Sequence, residues 1–170
     1  MDGCEVPVRE SRVELIVFIG IQATGKSAFY LQRFYRTRVR VNLDMLKTRH
    51  RENLLVTACL SGQTPFVVDN TNLTRVDRTR YLAPAKAAHF ATHGYFFQSR
   101  VTDALARNGC REGDERVPDL AIRGARNRLE MPLLAEGFDR LFFVRLDEQD
   151  QFVVEDWKSG CENAPIRNGA

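Results

Sequence analysis

The sequence predicts an α/β fold, a doubly wound parallel sheet of about five strands with flanking helices. Three observations predict it. Short apolar runs alternate along the chain with longer stretches of helical spacing, the order that builds a parallel sheet covered on both faces. The first run lies within VELIVFIGIQATGKSAFY (residues 13–30) and leads directly into a glycine-rich pattern, GxxxxGKS. Two later runs end at an aspartate, Asp44 after VRVNL and Asp69 after PFVV, at the carboxyl edge where open parallel sheets bind ligands.

Residues 1–12 are polar and contain Pro7, a loose lead-in. The first strand covers about 13–19, and the glycine pattern follows as Gly20, Ile21, Gln22, Ala23, Thr24, Gly25, Lys26 and Ser27. Gly20 and Gly25 let the backbone turn sharply and approach a polyphosphate with no Cβ in the way. Successive N–H groups at a helix N-terminus then form an anion nest. Lys26 would reach the β- and γ-phosphates and the Ser27 hydroxyl would ligate Mg²⁺, so the stretch predicts binding of a nucleoside triphosphate. A helix runs on to about Arg36 with Ala28, Leu31, Phe34 and Tyr35 as its apolar positions.

A second strand ends near Asn42, and Asp44 follows it. Asp44 is placed to act as general base, because the strand after the loop's helix runs to the same edge of the sheet. Its structural alternative is a helix N-cap over residues 45–49, and the two roles are compatible. The next helix reaches about Leu60, with Leu54, Leu55, Ala58 and Cys59 apolar, and Ser61-Gly62 stops it. The third strand, 65–68, is capped by Asp69, which reads as a second metal-organising carboxylate. Asn70, Thr71 and Asn72 form a polar turn, either a helix lead-in or a phosphate contact. Thr74 and Asp77 fit a capping box for a helix to about His93, interrupted by Pro84 and stopped by Gly94.

His89 and His93 would then lie one turn apart, but no third ligand is evident and a structural role is the reading. The fourth strand is 95–98, and a short helix spans 101–108. The stretch RNGCREGDERVP (107–118) carries Arg107, Arg111 and Arg116 and reads as an arginine-bearing lid. Arginines that stabilise transferring phosphate are worth ~10³–10⁵ in rate. Pro118 opens another helix with Leu120, Ile122, Ala125 and Leu129 on its buried side. The fifth strand is 141–146, and residues 152–157 return antiparallel as a C-terminal β-hairpin. Residues 159–170 read as a disordered tail, which leaves 13–158 as one domain.

Composition narrows the class. The chain has 170 residues, 44% hydrophobic and 28% charged, with a net charge of +3, the profile of a soluble globular domain. Within 33–51 seven basic residues face one acid, Asp44. That basic segment is either a solvated helix face or a phosphate-lined acceptor site, for which the planar arginine fork is suited. The four cysteines (Cys4, Cys59, Cys110, Cys161) show no paired metal spacing and read as reduced thiols. The N-terminus lacks a secretory apolar core, and no stretch approaches the ~20 apolar residues that span a bilayer. These features predict a cytoplasmic protein with no membrane association, and no obligate protein partner is evident. Guanine-recognition patterns such as NKxD are absent and the chain is short for a motor module. A small kinase needs a phosphate loop, a carboxylate base and lid arginines, and the sequence has a candidate for each.

The combination GIQATGKS, VNLDMLKTR, VVDNTNLTRVDRTRY, LARNGCREGDERVP and EGFDRLFFV resembles the kinase domain of polynucleotide 5′-hydroxyl kinases and the related bacterial AAA-type small kinases. The resemblance covers nearly all of residues 13–144. It implies a P-loop kinase-like fold using ATP and Mg²⁺, with Lys26 and Ser27 on the triphosphate and metal. It also implies Asp44 as the base activating a nucleic-acid 5′-hydroxyl, Asp69 as the carboxylate after the third strand, and Arg107 and Arg111 as lid arginines. Lys47 stands where many polynucleotide kinases have an arginine that holds the acceptor's neighbouring phosphate, so the charge is kept and the bidentate fork is lost. Three functions follow as expectations: a polynucleotide 5′-hydroxyl kinase, a kinase of a small hydroxyl metabolite or antibiotic, and a non-catalytic nucleotide-binding regulatory module.

Overall fold

The computed structural model describes residues 13–157; the lead-in expected at 1–12 and the tail expected at 159–170 lie outside the described residues. Among the described residues six strands form one sheet: β1 (Glu14–Ile19), β2 (Val39–Val41), β3 (Phe66–Val68), β4 (Ala91–Phe97), β5 (Arg140–Leu146) and β6 (Phe152–Asp156). Their spatial order is β2-β3-β1-β4-β5-β6, with five strands parallel and β6 antiparallel to β5. The expected sheet and terminal hairpin are both present.

β1 is the middle of the sheet, and its continuous apolar run is buried on both faces, as a central parallel strand requires. Leu15, Val17 and Ile19 face one side. There they meet Val56 and Cys59 of α3 (Arg49–Ser61) and Tyr81, Leu82 and Ala85 of α4 (Arg75–Ala87). Ile16 and Phe18 face the other side, against Phe29 and Tyr30 of α1 (Lys26–Arg33). Aromatic rings dominate that second layer: Phe18 and Phe97 have centroids 5.1 Å apart, and Phe29 and Phe152 5.0 Å. A third cluster packs Ile21, Ala23 and Leu73 beneath Ala104 of α5 (Val101–Gly109) and Ile122 and Ala125 of α6 (Asp119–Arg128).

Several expected faces and boundaries are corrected. On α1 the buried stripe is Lys26, Phe29 and Tyr30, whereas Ala28 is exposed and Leu31 is 60% exposed; the helix ends at Arg33, short of the expected Arg36, and Tyr35 beyond it is exposed. On α3, Leu54 faces solvent while Val56 and Cys59 are buried. Pro118 precedes α6 instead of opening it, and Leu120 is 80% exposed because the stripe through Ile122 and Ala125 faces the core.

The helix expected to reach His93 ends at Ala87. His89 adopts φ 62° in the turn, and Phe90 N–H donates to Ala85 O at 2.9 Å to close the helix end. His93 therefore lies on β4, beside Glu14, with its pKa lowered chiefly by burial, and the two histidines do not share a helix face. Gly94, read as a helix stop, sits inside β4 opposite Leu141; a Cβ there would lie 2.5 Å from the Leu141 side chain. The Thr74–Asp77 capping box is formed. Arg78, fully buried, makes a bidentate pair with Glu136 (2.7 and 2.8 Å) and donates to the carbonyls of Asn72, Leu73 and Glu130. Cys59 and Cys110 are free thiols. Among the described residues no helix is long and apolar enough to cross a membrane.

Candidate active site

The phosphate loop leaves β1 at its carboxyl end and turns into α1. Gly20 has φ 153°, and a Cβ there would crowd Ser99 and Phe97 at 3.1–3.3 Å. Gly25 has φ 91°, and a Cβ would lie 3.1 Å from the Phe152 ring. Both glycines are thus required by close approach as well as by backbone conformation. The loop is fixed from outside by Gly20 N–H donating to Thr71 O (3.0 Å) and Ile21 N–H to Ser99 Oγ (3.2 Å). Inside it, Thr24 Oγ1 donates to Ile21 O at 3.0 Å.

Lys26 is buried and its ammonium donates to the carbonyls of Gly20 (3.0 Å) and Ile21 (2.5 Å). Burial drives its pKa down to about 8; Asp69 and Asp44 pull it up, and Arg111 pushes it down. Groups from the end of β3, from α2 (Leu43–Leu46) and from the segment after α5 therefore act on one ammonium. An ammonium so poorly hydrated is primed for anionic oxygens, whose charge would restore its proton affinity.

Ser27 Oγ donates to Asp69 Oδ2 at 3.0 Å. Asp69 is 2% exposed, at the end of β3. The guanidinium of Arg40, from β2, lies across this pair. Its Nη2 is 2.8 Å from Ser27 Oγ and 2.6 Å from Asp69 Oδ2, and its Nε is 2.9 Å from Asp69 Oδ2. A positive group already rests on the hydroxyl and carboxylate expected to organise Mg²⁺. The residues fit that ion: it takes oxygen ligands, keeps waters, and uses one or two protein groups plus substrate phosphates. Among the described residues no cluster of three His, Cys, Asp or Glu side chains is present to hold a metal by protein ligands alone.

Asp44 occupies the first turn of α2 (Leu43–Leu46) and is exposed. It is not the helix cap. Asn42 is, its Oδ1 accepting from Met45 N–H at 3.0 Å while its Nδ2 donates to Asp69 O at 2.5 Å. Lys47, exposed at φ 68°, ends the helix. Asn70 and Asn72, read as possible substrate contacts, are engaged by the protein. Asn70 Oδ1 accepts from Leu43 N–H (2.8 Å), and its Nδ2 donates to Glu52 Oε1 (2.7 Å). Asn72, 3% exposed, donates to Phe18 O (2.7 Å) and braces the strand below the loop. Glu52 is fully buried and also accepts from Tyr81 Oη (2.9 Å) and Arg49 Nη1 (2.7 Å).

In the lid segment Arg107 Nη1 reaches Ala23 O at 3.4 Å, while Arg111 contacts Glu115 O at 3.4 Å within the segment. Arg107 also borders a cavity of about 490 Å³ shared with Gln98, Arg100, Arg145 and the 147–149 turn. Sequence reasoning missed Arg40, Ser99 and Phe152 as parts of the site. Arg40 had been one of seven basic residues in a run, with no local pattern to pair it with Asp69.

No family model matches the chain. The fold is similar to that of solved proteins at low sequence identity. It matches Kti12 of Chaetomium thermophilum, solved in complex with ADP-AlF3, at 18% identity and TM-score 0.56 over 80% of this chain and 92% of that one. It matches a gluconokinase of Sinorhizobium meliloti at 18% identity and TM-score 0.52 over 78% and 82%. In sequence the chain is similar to the bifunctional polynucleotide phosphatase/kinase of Schizosaccharomyces pombe, 27% identical over 131 residues. That similarity covers 74% of this chain and 32% of the relative, so the chain spans about a third of that protein's length. The resemblance to polynucleotide-kinase-like P-loop kinases is upheld.

Proposed function

We propose that the protein is an ATP- and Mg²⁺-dependent kinase that transfers the γ-phosphate to a hydroxyl acceptor, first of all a polynucleotide 5′-hydroxyl. The observation that carries this reading is the geometry of the loop: the Lys26 ammonium is buried against the Gly20 and Ile21 carbonyls, and Ser27 Oγ beside it is hydrogen-bonded to Asp69 at the end of β3. Similarity to a polynucleotide phosphatase/kinase supports the acceptor. Lys26 and the loop N–H groups hold the β- and γ-phosphates, and Ser27 and Asp69 hold the cation. At Ser27 and Asp69 a Mg²⁺ ion would supply neutralisation of the triphosphate's charge. Asp44 takes the proton of the acceptor hydroxyl as its oxygen bonds to the γ-phosphorus. The bond from that phosphorus to the β–γ bridging oxygen breaks, and ADP leaves with the electron pair. Arg107 and Arg111 face the charge that develops on the transferring group. The cavity beside Arg107 has the volume for a nucleoside.

Lys47 favours a second reading, a small hydroxyl acceptor, because a point charge binds a flanking nucleic-acid phosphate less specifically than an arginine fork. One experiment separates the readings. Labelled γ-phosphate from ATP/Mg²⁺ is offered to 5′-hydroxyl DNA and RNA oligonucleotides with wild type, Lys26→Ala and Asp44→Asn. Labelling by wild type alone, weakening steeply with salt, is the expected result. ATP binding with no oligonucleotide labelled moves the acceptor to small hydroxyl compounds. ATP binding with no transfer to either class leaves a regulatory module.

A further inference from the structure

We infer that Arg40 is the resident cation of the Ser27–Asp69 pair, holding the place of the divalent cation until metal-bound nucleotide displaces it. The inference rests on the reading of Ser27 and Asp69 as the cation site. The Asp69 carboxylate is almost wholly buried, and a buried carboxylate stripped of its partner is strongly destabilising. Arg40 supplies that partner with two N–H groups on Asp69 Oδ2, and the same Nη2 reaches Ser27 Oγ at 2.8 Å. A Mg–oxygen bond is about 2.1 Å. A magnesium ion on Ser27 Oγ would therefore stand no more than about 5 Å from an arginine nitrogen on the same oxygen. Two positive centres at that spacing beside a water-poor carboxylate repel.

The side chain has somewhere to go. Its guanidinium carbon lies 5.4 Å from the Tyr30 ring centroid, and Nη1 is 3.4 Å from Met45 Sδ on the exposed α2. Withdrawal toward α2 would free the oxygens. By reciprocity, whatever the metal costs the arginine contact, the arginine costs the metal.

The test is Mg²⁺ titration of ADP binding to the full chain, with unfolding temperature followed in EDTA. Wild type, Arg40→Gln and Arg40→Lys are compared. Half-saturating Mg²⁺ is expected to fall about tenfold in Arg40→Gln and less in Arg40→Lys. Arg40→Gln should also melt earlier in EDTA and regain the loss with Mg²⁺ and ADP. If Arg40→Gln does not fold, Arg40→Lys carries the comparison. Unchanged or raised half-saturating Mg²⁺ in variants that still bind ADP overturns the inference alone. Failure of wild type to bind ADP overturns the nucleotide reading with it. Acceptor phosphorylation is not read, so the absence of a kinase activity does not mimic either result.

Discussion

Lys26 is an ammonium held among carbonyls with little water, and its pKa of about 8 reflects that. Phosphate oxygens favour the charged form, so nucleotide binding requires the proton to be on Lys26. Below about pH 8 the free protein already carries it, and affinity should be nearly flat. Above it, binding must take up a proton, so ADP affinity should fall with rising pH, by at most about tenfold per unit. Titration calorimetry from pH 6.5 to 9.5 checks this, with Lys26→Arg expected to remove the slope. The loop residues were legible in the sequence because their partners are neighbours in the chain. Arg40, Ser99 and Arg78 were not, because each acts on groups dozens of residues away that only the sheet order brings together.

At the scale of elements, α2 is a single turn and too short to persist alone. Two side chains hold it: Asn42 caps it from within, and Asn70 accepts from its first N–H while anchored to buried Glu52. Asn70 is therefore a positioning residue for Asp44. Asn70→Ala should lower stability by about 1–3 kcal/mol through the unsatisfied buried groups it leaves. It should also lower the kcat of phosphoryl transfer at least tenfold while leaving the ADP dissociation constant within about twofold, since no loop contact is touched. Urea unfolding and the transfer assay measure both. Element types were mostly readable from periodicity, and the largest miss was the α4–β4 junction. PAKAAHFATH has the composition of a helix, yet residues 91–96 are drawn into six pairings with β1. Tertiary pairing overrides propensity there, and Gly94 serves the close approach of β5 instead of ending a helix.

Over the whole molecule, the parallel sheet sets Lys26, Asp44 and Asp69 at one edge, and the antiparallel return strand β6 begins at that same edge, Phe152 pairing with Leu146. Phe152 at the start of β6 lies against Gly25 and meets Phe29 edge to face, with ring centroids 5.0 Å apart. Occupancy of the loop and order of the hairpin are thereby linked. Amide exchange in β6 should slow when ADP and Mg²⁺ bind, measured by deuterium uptake, and Phe152→Ala should abolish that protection.

The turn between β5 and β6 has a second consequence. Residues 147–149 wall the cavity beside Arg107, whereas the loop, Asp44 and Asp69 are built on other elements. If the nucleoside lies in that cavity, choice of base and chemistry of transfer are inherited separately. A hairpin turn tolerates exchange of its residues more readily than a buried strand. Donor preference, ATP against GTP, is then the property of this protein most open to evolutionary drift or redesign, and a transplanted turn would change it without moving the atoms that carry the phosphate.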